Sequence, residues 1–167
     1  MFSWPYNGMM EVKSFISFRS TFIKKKKPDS IPLSSPVLPD VDLFTPPLDG
    51  TILPGITRAS CLYLAQAHTT GKIALPGIPP SQKLHTHELP ITMADLFSWS
   101  EQGKMLEVLG VGTAVSVAAV SRIGYKDKDV VLPSHDGGLG PVGKGLWTMI
   151  TDIQTGRMEF EDWSVVL

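Results

Sequence analysis

Apolar residues recur along this chain in two rhythms, one of three to four residues and one of two, and their order predicts its elements. Ile56, Ala59, Leu62 and Ala65 keep helical spacing, which predicts a helix over 56–69 with Gly71 as its stop. Thr92 has the side chain of a good N-cap, Asp95 stands three residues on as a capping-box partner, and Gly103 follows, so a second helix is expected over 93–102. Pro141 sits where a helix start tolerates its missing N–H, and a third helix is expected over 142–155. Residues 105–109, 114–123 and 129–132 read as strands, the second small and β-branched enough to be buried on both faces. Residues 160–166 read as a closing strand. Trp99 and Trp147 fall on helices and are expected in the core, as is Cys61 in mid-helix. This order predicts the α+β class: a single mixed β-sheet or barrel-like domain over 41–167, with flanking helices.

The first forty residues read differently. Residues 12–23 alternate loosely enough for a strand, but four consecutive lysines, Lys24 to Lys27, lead into a stretch rich in serine and proline. Proline fixes φ and removes a donor, so 24–40 is expected to be a linker, and 1–40 a poorly ordered segment outside the domain.

Composition narrows the class. The 167 residues suffice for one domain with a real core. A net charge of −1 argues against nucleic acid or an anionic membrane as partner. The basic residues Lys13, Arg19 and Lys24 to Lys27 face only Glu11 in the first 28 positions, so the remainder is acidic. That basic, serine-containing start has features of a transit peptide, although its lysines are bunched. One cysteine, Cys61, excludes an internal disulfide and fits a reducing compartment. No apolar run is long enough to predict a membrane-crossing helix.

Two segments offer chemistry. In Leu53-Pro54-Gly55-Ile56-Thr57-Arg58 a tight turn opens onto a helix, whose first amides lack internal partners and carry the positive end of the dipole. The segment admits a phosphate seat or simply a Pro-Gly helix start. In Gly110-Val111-Gly112-Thr113-Ala114 glycine lets a ligand approach the backbone and Thr113 adds a hydroxyl. A bulged hairpin turn is the plainer alternative. His85 and His87 alternate on a strand without a carboxylate or cysteine at metal-ligand spacing, which favours surface histidines over a metal site.

Taken together, in this order and separation, the segments carry a resemblance. Leu48-Asp49-Gly50-Thr51-Ile52-Leu53-Pro54-Gly55-Ile56-Thr57-Arg58, Leu89-Pro90-Ile91-Thr92-Met93, Leu106 to Ala114, Arg122 to Lys126, Gly137 to Val142 and Asp162 to Val166 resemble the branched-chain amino acid aminotransferases. The resemblance covers roughly three quarters of the chain. It implies the large domain of a fold-type IV enzyme, pyridoxal 5'-phosphate as cofactor, amino acid and 2-oxo acid substrates, a homodimer, and a cytoplasmic or mitochondrial setting. It assigns the cofactor phosphate to the amides of Ile56 and Thr57 and the hydroxyl of Thr113, and the substrate carboxylate to the amides of Thr113 and Ala114. Val115 and Ala118 stand where mammalian members carry a Cys-x-x-Cys pair, so no thiol switch is expected.

The catalytic lysine of that family, which bonds the cofactor and shuttles the α-proton, is matched by no lysine here. Glu11-Val12 followed by Ser14 resembles the glutamate stretch that follows it, but the lysine-bearing insert makes the spacing to Pro46 too long. Lys13 has the right side chain without the context, and the family's small N-terminal domain is not matched either. Two functions are therefore expected to compete: a transaminase of leucine, isoleucine or valine with 2-oxoglutarate, truncated in this chain, and a catalytically inactive fragment that acts by binding.

Overall fold

The computed structural model describes residues 15–19, 38–50 and 52–163. Its elements run β1 (Phe15–Arg19), β2 (Val41–Thr45), α1 (Ile56–Thr69), β3 (Leu84–Glu88), α2 (Met93–Glu101), β4 (Met105–Gly112), β5 (Ser116–Val120), β6 (Arg122–Tyr125), β7 (Lys128–Val131) and α3 (Pro141–Gln154). Five strands form one mixed sheet in the order β3-β2-β1-β4-β5, with only β2 and β3 parallel, and β6 pairs with β7 as a separate hairpin. The class is α+β.

Each face of the sheet is covered. On one side α1 and α3 place Leu64 and Leu146 against Leu43 of β2 and Leu109 of β4, all four without solvent exposure. Burying each such leucine stabilises the fold by roughly 1.5–3 kcal/mol. On the other side α2 and the β6–β7 hairpin bring Leu96 and Val130 against Met105 and Val108. Strand β4 serves both cores through the alternation of its side chains, and its pairing with β1 jumps from Glu107 to Met105, passing over Leu106. That bulge resets the two-residue alternation, so Met105 and Val108 face one core while Glu107 and Leu109 face the other.

The helices follow their local signals. α2 carries the capping box expected at Thr92: its hydroxyl accepts from the Asp95 amide at 3.2 Å, and the Asp95 carboxylate accepts from the Thr92 amide at 2.8 Å. α3 takes Pro141 into its first turn, and Gly71 follows the end of α1 at φ +79°. Cys61 is fully buried, as expected.

Four expectations are corrected. Residues 114–123 are not one strand. Thr113 to Val115 form a turn, β5 ends at Val120, and β6 begins after Ser121 in a different sheet. Of β5 only Val117 is buried, so the segment is not covered on both faces. Phe160 to Trp163 turn rather than extend, because Phe160 tucks into the first core and packs edge-on against Trp163; the rest of the expected closing strand lies outside the described residues. Trp147 is 42% exposed and not in the core, since α3 turns Leu146 and Ile150 inward instead. The middle strand of the sheet, β1, falls within the loose alternation at 12–23. Lys13 and Lys24 to Lys27 lie outside the described residues.

Candidate functional site

Three chain segments meet at a cleft of about 290 Å³. It is lined by Thr45 at the end of β2, by Ile52, Leu53 and Gly55 to Arg58 at the entry of α1, and by Val111, Gly112 and Thr113 where β4 turns toward β5. β2 and β4 are separated by one strand and end on the same side of the sheet, because β1 is antiparallel to both. The topology thus delivers the turn after β4 to the start of α1.

The helix end in this cleft is unusually bare. Gly55 is the N-cap, no side chain caps the helix, and its first turn holds no acidic residue. The Gly55 carbonyl already accepts from Ala59, while the amides of Ile56 and Thr57 have no partner inside the helix. A side chain at Gly112 would meet no atom within 4 Å, so the backbone there is open to a ligand. Ile56 and Leu53, each 86% exposed, form an apolar rim.

Arg58 is the charge of the cleft. Its Nε donates to the Thr45 hydroxyl at 3.2 Å, and Nη2 donates to the Pro46 carbonyl at 2.7 Å and to the Glu88 carboxylate at 2.6 Å. Parallel pairing sets Thr45 beside Glu88, so one guanidinium ties the ends of β2 and β3 to the first turn of α1. Its side chain is only 11% exposed, whereas that of Glu88 is half exposed.

Of the residues singled out in the sequence, Ile56, Thr57 and Thr113 line this one cleft; Ala114 follows in the exposed turn and is not part of the lining. Among the described residues no lysine lines it. Val115 is exposed and Ala118 half-buried on the hairpin, and burial pushes the Cys61 thiol up to about 12, which leaves it unreactive. The two strand histidines meet carboxylates that sequence spacing hid: His85 bonds Asp40 at 3.3 Å, and His87 bonds Asp42 at 2.7 Å while stacking on Phe44. Among the described residues no three metal-binding side chains gather at one point.

Sequence reasoning passed over Glu107. This carboxylate, 4% exposed, accepts from the amides of Val142 at 2.9 Å and Gly143 at 3.1 Å, and so caps α3 from strand β4. A Cβ at Gly140 or Gly143 would fall within 2.8 Å of it, which explains the glycines there. The available signal was a glutamate inside an apolar strand.

Fold and cleft together define an α+β domain with an uncapped helix start faced by a hairpin turn. The stretch that contains them is similar to the branched-chain amino acid aminotransferases. It is 34% identical over 126 residues to the branched-chain-amino-acid aminotransferase of Monosiga brevicollis, 75% of this chain and 29% of that protein. The cytosolic mouse enzyme is 38% identical over 126 residues with the same coverage, and the mitochondrial enzyme of Saccharomyces cerevisiae 36% over 124 residues, 74% and 29%. The chain thus spans less than a third of the length of these relatives. No family model matches it. A Thermotoga maritima structure aligns over 91% of this chain and 38% of its own, at 21% identity and a TM-score of 0.42, too slight a likeness to bear on the fold.

Proposed function

We propose that this chain carries the cofactor-phosphate and substrate-carboxylate half of a branched-chain amino acid aminotransferase. The observation that carries the reading is the meeting of Ile56, Thr57 and Thr113 on one cleft, from segments more than fifty residues apart. A phosphate fits what lies there: unpartnered helix amides, no acidic side chain in the first turn, and a guanidinium in the wall. The amides of Ile56 and Thr57 and the Thr113 hydroxyl would hold the phosphate of pyridoxal 5'-phosphate. That cofactor supplies the electron sink for amino-group transfer when bound.

The chain's own part is binding and orientation. The amides of Thr113 and Ala114 would bind the substrate carboxylate, and Leu53 and Ile56 offer apolar surface at the mouth of the cleft. Substrates would be leucine, isoleucine or valine and their 2-oxo acids, with 2-oxoglutarate as the second partner, in a homodimer. The relatives are named cytosolic and mitochondrial, and those are the compartments proposed here.

The test is a comparison of pyridoxal 5'-phosphate with pyridoxal, which lacks the phosphate. The phosphorylated compound should bind and be displaced by millimolar inorganic phosphate, and pyridoxal should not compete. Equal binding of the two would refute the phosphate seat.

A further inference from the structure

Arg58 occupies an electrostatically adverse position. It is the third residue of α1, in the turn where the helix dipole is positive and acidic side chains are the favourable choice. Nothing within α1 offsets it, since the first turn holds no acid. The guanidinium is nevertheless nearly buried in the wall of the cleft, fixed by Thr45, the Pro46 carbonyl and Glu88. Among the described residues its Nη1 has no partner. A positive charge added to a positive helix end is costly in an empty site and favourable once an anion arrives.

We propose that Arg58 is a charge-bearing member of the anion seat, and that Glu88 sets its strength by competing with the anion for that guanidinium. This rests on the phosphate reading of the cleft. The geometry separates the roles of the two partners. Thr45 and the Pro46 carbonyl are neutral and hold the side chain in place, whereas Glu88 is charged, half exposed and outside the cleft lining. Without an anion, Glu88 neutralises Arg58. With one bound, the guanidinium serves two negative groups, and each weakens the other's hold.

A contact that only braced the fold and one that tuned charge make opposite predictions for Glu88. Removing a brace loosens α1 from β3 and weakens the seat. Removing a competitor strengthens it.

The experiment is calorimetric titration of the whole chain with inorganic phosphate and with pyridoxal 5'-phosphate, at low and at high salt. Glu88→Gln keeps the shape and deletes the charge. It should lower the dissociation constant for phosphate by about two- to fivefold at low salt, the range expected of a partly screened pair, and the gain should shrink at high salt. Arg58→Lys keeps a charge without the fork and should bind about tenfold more weakly. Thermal unfolding of each variant checks the fold, and if Arg58→Lys fails to fold, Glu88→Gln alone decides. Unchanged or weaker phosphate binding by a folded Glu88→Gln overturns the proposal while the phosphate reading stands. Failure of the unmutated chain to bind phosphate overturns both.

Discussion

Thr113 stands exposed in the turn after β4, so its hydroxyl serves no fold contact that its loss would break. Thr113→Ala should therefore leave the melting temperature unchanged and weaken phosphate binding by about 1.5–3 kcal/mol, the worth of a hydrogen bond to a charged group. Titration with inorganic phosphate measures it. Glu107 is the reverse case, a residue of the fold with a pH signature. Burial pushes its carboxyl up, against the opposing pull of the Gly143 and Val142 amides and of nearby His135. A carboxyl raised in the folded state holds its proton more tightly there than in the unfolded chain. Its contribution to stability is then fully present below the ordinary glutamate value and is lost as pH rises through the folded one. In urea unfolding between about pH 4 and 7, wild type should lose ground to Glu107→Gln as pH increases. A gain by wild type over that range would show that the amides outweigh burial. The helix start at Ile56 and Thr57 and the glycine turn before Thr113 were legible in the sequence because both are local patterns. Arg58 with Glu88, and Glu107 with Val142, were not, because each pair forms only through strand pairing or helix packing over thirty residues or more.

Elements were legible where one local signal fixed them. The capping box at Thr92 is such a signal, and Thr92→Ala should destabilise the fold by roughly 1 kcal/mol in chemical denaturation, with Thr92→Ser close to neutral. The long strand expected at 114–123 shows where local signals fail. Its four β-branched residues favour strand, yet Ser116 sits at φ +54° to close a three-residue turn, and Ser121 breaks the ladder before β6. The β6–β7 hairpin hid for the same reason. Its turn residues, Lys126 at φ +47° and Asp127 at φ +61°, occupy the left-handed region that two-residue hairpins demand, without the Asn-Gly that would announce it. Left-handed backbone costs an ordinary residue roughly 1–2 kcal/mol. The double change Lys126→Asn and Asp127→Gly should accordingly raise the urea midpoint, by up to about 1 kcal/mol in stability. A lowered midpoint would mean that these side chains make contacts worth more than the strain, such as Lys126 over the Tyr125 ring.

At the scale of the molecule, the family and the chain point in different directions on activity. In the function proposed here the cleft and the turn after β4 serve a transaminase, but transamination also needs a lysine to bond the cofactor and hold a base at the α-carbon. No lysine of this sequence matches that position, and among the described residues none lines the cleft. Lys72 is engaged elsewhere: it pairs with Glu161 and lies over the rings of Tyr63 and Phe160, fastening the turn after α3 to α1. A positioned general base is typically worth about 10²–10⁴-fold in rate, and phosphate and carboxylate contacts alone do not replace it. The 167-residue polypeptide should therefore bind pyridoxal 5'-phosphate reversibly, without transaminating leucine and 2-oxoglutarate faster than the free cofactor does. Borohydride reduction of the mixture followed by peptide mapping separates the cases. Scattered, substoichiometric labelling with no leucine-dependent turnover is the expected result. One stoichiometrically labelled lysine together with turnover would overturn it, and Lys13, two residues from β1 in the middle of the sheet, is the first position to inspect.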